Sequence, residues 1–199
     1  MRKAWRAGVV LPLVLLAGCA GLALDEPAMT SALLDQLPAD VPRARCAPAV
    51  LSVRRPQARP VYDTVQMAYT DRPHQVAFFA HHQWAETPGQ MLHPLLVRTL
   101  EGTGCFTSVL AAPGAGATHT LSTDIMELVQ DFTQEPPVLR LSLRMGLAAE
   151  GVVRPPAQRE IAVVQAMRQK GPLGGVEAAN QAMARALAQA AAFVLQEMR

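Results

Sequence analysis

The sequence predicts an α/β protein of the α+β-like kind, a mixed β-sheet with a β-α-β crossover, an antiparallel meander and a long C-terminal helix. Three stretches carry that prediction. Residues 81–110 read as a strand end, a capped helix, a glycine stop and a returning strand, which is a crossover unit requiring at least one parallel pair. Residues 121–167 hold successive strand patterns joined by short proline- and glycine-bearing connections, as in a meander. Residues 176–198 place Val176, Ala179, Met183, Leu187, Ala190, Val194 and Met198 on one helical stripe.

Taken in order, residues 20–30 are a short tether, and a first strand is expected over 32–37, closed by Pro38. Val50, Leu51 and Val53 form a brief strand ended by Arg54, Arg55 and Pro56. A weaker strand pattern covers 64–69, and one buried on at least one face runs from Gln75 to Trp84. Thr87, Pro88 and Gln90 mark the helix start as cap, first helical position and capping-box partner. Met91, Leu92, Leu95, Leu96, Thr99 and Leu100 give that helix one face to bury, and Pro94 within it predicts a kink. Gly102 and Gly104 end it before a buried strand with Phe106, Val109 and Leu110. In the next strand the alternation of Leu121 and Ile125 gives way to that of Met126, Leu128 and Phe132, so a bulge is expected between Asp124 and Met126. Leu139, Leu141, Leu143, Met145 and Leu147 then alternate with Arg140, Ser142 and Arg144, a half-buried strand, and another comes over 160–167. Gly174-Gly175 is read as preceding the terminal helix.

Half of the 199 residues are hydrophobic, enough for one ordinary core. The formal charge of +2 is misleading, because Arg2, Lys3 and Arg6 lie in a segment expected to be removed. Eighteen basic residues less those three leave fifteen against sixteen acidic ones, a net charge of −1. No basic footprint for nucleic acid remains.

The first six residues carry three positive charges and the next eleven are apolar, far short of the ~20 residues a spanning helix needs. This is a signal-peptide pattern, and Leu16-Ala17-Gly18-Cys19 matches the lipobox of bacterial lipoproteins. That match implies a signal peptide over 1–18, cleavage before Cys19, and acylation (palmitate among the chains) of the Cys19 thiol and new amino group. It leaves a lipidated N-terminus and tether over 19–30 and one domain over 31–199. Two or more acyl chains anchor stably where one does not. Ala20 stands where enteric inner-membrane lipoproteins carry aspartate, which favours the outer membrane, periplasmic face. Cys46 and Cys105 are left over, and in an oxidising compartment they are either bridged or two separate buried thiols.

With these landmarks placed, the chain resembles the ABC-type transport auxiliary lipoproteins. The resemblance rests on Met67-Ala68-Tyr69, Trp84-Ala85-Glu86 with Pro88, Met91-Leu92, and Leu100-Glu101 before Gly104, Phe106 and Val109. It continues through Leu121, Asp131-Phe132, the 139–147 strand, and Ala178, Asn180 and Ala182. It implies a helix-flanked mixed sheet like the anticodon-binding-domain arrangement. It also implies a non-enzymatic accessory role beside an MCE-domain protein and an ABC permease and ATPase, moving phospholipid or other hydrophobic molecules across the envelope. The alternative is a scaffold or assembly lipoprotein of another outer-membrane machine, such as one for lipopolysaccharide insertion. A ring or other homo-oligomer would suit a component that caps a tube.

No catalytic constellation is evident: the sequence has no H-E-x-x-H, G-x-S-x-G, phosphate loop or dinucleotide fingerprint. His81 and His82 are adjacent on a strand and point to opposite faces, and His74, His93 and His119 are isolated, so neither metal nor other cofactor is expected beyond the lipid on Cys19. Trp84 is either the anchor packing strand to helix or, with Tyr69 and Phe79, part of a lipid or partner surface.

Overall fold

The computed structural model describes residues 28–153 and 155–199. The described residues form nine strands in one mixed sheet and two helices. The architecture is organised on one long strand, β7 (His119–Asp131). Three short segments lie in succession along one edge of β7, all parallel to it: β2 (Val50–Val53), β3 (Gln57–Ala58) and β4 (Gln66–Thr70). Its other edge pairs along its whole length with β8 (Val138–Ala149), which pairs in turn with β9 (Ala157–Ala166). These last three are the antiparallel meander the alternation predicts.

Beyond β7 the sheet forks. On one branch β6 (Ser108–Leu110) adds parallel to β2. On the other, β5 (Ala77–Trp84) adds antiparallel to β4, and β1 (Thr30–Ala32) adds parallel to β5. Helix α1 (Pro88–Glu101) carries the chain from one branch to the other. Tracing the pair senses through the sheet, β5 and β6 run in opposite directions. The parallel pair closed by the crossover is therefore β2 with β6.

Helix α1 begins where its cap signals place it, with the Gln90 side-chain oxygen accepting the Thr87 backbone N–H at 3.0 Å. Its six predicted apolar-face residues are all buried. The helix is continuous across Pro94, which lies on the exposed side, so the carbonyl deprived of its partner faces water rather than the core. The bulge is also present: the β7–β8 register shifts between Ile125 and Glu127. One extra residue, Met126, lets Ile125 and Leu128 both turn inward.

Several element boundaries differ from expectation by a few residues, and two of the differences have a clear tertiary reason. The first strand covers 30–32 rather than 32–37, because the Asn180 side chain holds the segment after it. Its Oδ1 accepts the N–H groups of Asp35 and Gln36, and its Nδ2 donates to the carbonyl of Leu33. Phe106 lies outside β6, which is a three-residue, half-buried strand rather than a buried one. Helix α2 (Pro172–Glu197) begins four residues before Val176, so the glycine pair lies inside its first turns.

The reason for the last difference is a close approach. A Cβ on Gly175 would collide with the side-chain amide of Gln130, which is itself buried. Gly175→Ala is expected to destabilise the protein by ~1–3 kcal/mol, the usual range for overpacking, and Gln130→Ala in the same chain should recover most of it. Urea titration of the four proteins of that cycle checks this; additive effects would exclude the proposed contact.

Both helices join one apolar cluster with the covered face of the sheet, where Leu139, Leu141, Leu143, Met145, Ile161 and Val163 stand. The opposite face carries Ser122, Asp124, Arg144, Glu160, Ala162 and Val164 and lies open. Among the described residues, a small cluster of Tyr62, Ala68 and Val129 is packed apart from the main core.

Candidate functional site

Trp84, Tyr69 and Phe79 do not form one surface. Trp84 closes β5 and is 3% exposed, within the main cluster, so it packs as an anchor. Tyr69 and Phe79 are half-buried on neighbouring strands, their ring centroids 4.6 Å apart. Phe132 completes an aromatic trio, edge-on to both at 6.0 and 6.3 Å, arrangements that aromatic quadrupoles favour. Phe132 enters the trio because β4 and the end of β7 are parallel neighbours, with its N–H donating to Thr70.

Beside the trio, strand β7 ends in a buried carboxylate. Asp131 is 1% exposed; it accepts the Thr133 N–H and hydroxyl and the Gln134 amide, and pairs with Arg140. Arg140 also holds Glu127 at 2.8 Å. Burial works to raise the Asp131 pKa, but the Thr133 and Gln134 hydrogen bonds and the Arg140 charge outweigh it and hold the carboxyl below its ordinary value. A depressed folded-state pKa means that Asp131 contributes stability above the ordinary carboxylate range and loses it as pH falls through the folded value. Urea midpoints measured from pH 6 downward should therefore drop on acidification, and Asp131→Asn should flatten that drop. The sequence showed Arg140 only as the polar side of an alternating strand; its two acidic partners come from across the β7–β8 ladder.

The Cys46 and Cys105 sulfurs are joined, with Cα atoms 5.0 Å apart. The bridge fastens the loop before β2 to the segment after α1, flanked by hydrogen bonds from Ala44 to Thr103 and from Thr107 to Ala49. The histidines stay apart: His93 Nε2 contacts the Val53 carbonyl at 3.0 Å, and His119 contacts the Thr118 hydroxyl. Among the described residues no group of three metal-ligating side chains converges, and no helix is long and apolar enough to cross a membrane. Cys19 and the expected signal peptide lie outside the described residues.

The model of one protein family, the ABC-type transport auxiliary lipoprotein component, matches residues 32–194. The chain belongs to this family. As an auxiliary lipoprotein it is of a kind that is non-enzymatic and lipid-anchored in the cell envelope. Its fold is shared with a solved Xanthomonas campestris protein at 19% identity and a TM-score of 0.72, covering 84% of this chain and 95% of that one. A second solved structure, of an uncharacterized protein, matches at 16% identity and TM-score 0.66 over 86% and 99% of the two chains. A hypothetical protein from Chlamydia trachomatis matches at 10% identity and TM-score 0.51, over 74% and 98%. No curated protein matches the chain. The auxiliary lipoprotein thus has its family from its sequence and its fold from structures too divergent to transfer more.

Proposed function

We propose that this auxiliary lipoprotein is a periplasm-facing, non-catalytic component of an MCE-type ABC transporter that moves phospholipid or other hydrophobic molecules across the envelope. The observation that carries the reading is the family match over nearly the whole folded domain, preceded by Leu16-Ala17-Gly18-Cys19. Cys19 would bear the acyl chains, and its tether would hold the domain to the outer membrane within reach of the transporter's distal end. The work would be done by surfaces: tethering the partner or gating exchange at the membrane. A homo-oligomer would suit a component that caps a conduit.

The test is affinity capture of the lipidated protein from detergent-solubilised envelopes. An MCE-domain protein with its permease and ATPase should co-purify, and light scattering on the complex should give the copy number. Capture of an outer-membrane barrel instead, with no transporter subunit, would refute the reading. Labelled palmitate should enter the wild-type protein and not Cys19→Ser; equal labelling would refute the anchor.

A further inference from the structure

We infer that Arg54 and Arg55, at the break between β2 and β3, form a binding site for a phosphate ester carrying a neighbouring ammonium group. The two arginines sit between β2 and β3, both of which pair with β7. Val53 lies opposite Leu121 and Gln57 opposite Asp124, so four steps of one chain run beside three of the other. The surplus residue pushes the arginines out of the ladder while pairing on either side, including the Arg54 N–H to the Leu121 carbonyl, fixes their backbone. Both side chains are exposed, and neither guanidinium has an ion pair or hydrogen bond among the described residues.

Three hollows adjoin this pair. Arg54 lines one of about 390 Å³ with Ser52, Thr120 and Glu150. Arg54 and Arg55 together line one of about 290 Å³ with Gln57, Ser122 and Asp124. Arg55 also lines a third of about 470 Å³ with Asp63 and with Thr87 and Gln90 at the start of α1. Both arginines line the second of these hollows, and guanidinium groups bind phosphate oxygens with paired, charge-assisted hydrogen bonds. A bare phosphate would meet Asp124 in the same recess and Glu150 in the next, both of which repel it. An ester whose phosphate lies between the arginines and whose ammonium turns to Asp124 satisfies both signs, and this is the chemistry of phosphoethanolamine. The source is either a water-soluble ester or the head group of a membrane lipid. The site stands on its own geometry, and only the lipid source rests on the transport reading.

Calorimetric titration of the full-length protein in detergent distinguishes these sources. The probes are glycerophosphoethanolamine, glycerophosphoglycerol, inorganic phosphate and dihexanoylphosphatidylethanolamine, each up to about 10 mM, a range that reaches dissociation constants weaker than millimolar. Glycerophosphoethanolamine is expected to bind, and the double variant Arg54→Gln/Arg55→Gln to weaken it by about ten-fold or more. Asp124→Asn should erase the preference for ethanolamine over glycerol while leaving the phosphate contribution. Thermal midpoints should be unchanged in all three proteins, since the arginines are exposed and Asp124 lies outside the core. Tighter binding of the dihexanoyl lipid assigns the lipid source, and equal binding assigns the soluble ester; both support the site. No heat from any probe, equal affinity of wild type and double variant, or inorganic phosphate binding as tightly as the ester would overturn it.

Discussion

Trp84→Ala lowers the thermal midpoint by roughly 6–20 °C. Truncating a buried large aromatic typically costs ~3–5 kcal/mol, and in a domain of this size each kcal/mol moves the midpoint by about 2–4 °C. The site cannot relax cheaply. Trp84 is the last residue of β5, its N–H is spent on the Val65 carbonyl at 2.7 Å, and it stands opposite Ala32 of β1. The hole would open in the cluster that also holds Leu34, Met91 and Leu92. Differential scanning calorimetry reads the shift. In a chain cleaved before Cys19, as proposed, Trp84 is also the only indole, so its fluorescence should be that of an apolar environment; emission typical of water would contradict the burial on which the expectation rests.

Breaking the bridge between Cys46 and Cys105 is the second large effect. The two are 59 residues apart, and closing a loop of that size removes about 4 kcal/mol of unfolded-chain freedom in the entropy model. The double variant Cys46→Ser/Cys105→Ser should show a urea midpoint well below wild type, and reductant should bring wild type down to the same value. A midpoint that ignores reductant would mean that the thiols are free in the exported protein. Cys105 is buried and Cys46 partly so, which makes reduction slow under native conditions and faster once urea begins to open the fold.

Elements whose signals are local were legible. The cap residues Thr87, Pro88 and Gln90 place the start of α1 to the residue, since capping is decided within four positions. The alternation along 139–147 identifies β8, and the phase change after Ile125 announces the bulge. The elements that escaped depend on residues far away. Two-residue β3 exists only because β7 offers it a partner. The glycine pair at 174–175 has the look of a helix breaker; Gly174 packs against the nearby Gln169 backbone, but Gly175 is explained by Gln130, forty-five positions earlier.

The same division holds for the functional surfaces. Tyr69 and Phe79 could be picked out singly, but Phe132 joins them through a parallel strand pair that no local pattern announces. Arg54 and Arg55 read simply as the end of a strand, because the renewed pairing of Gln57 and Ala58 with the same neighbour, β7, is set by tertiary contacts. Whether Trp84 faces core or solvent required coordinates, since a tryptophan suits both.

Asn180 gives the molecule an order of assembly. Its amide secures Leu33, Asp35 and Gln36 from 147, 145 and 144 positions away, so the earliest part of the folded chain to leave a ribosome or translocon cannot be clasped until nearly all the rest has emerged. Until then the leading segment hangs loose from an otherwise half-built body, and the closing act of maturation occurs where the protein starts.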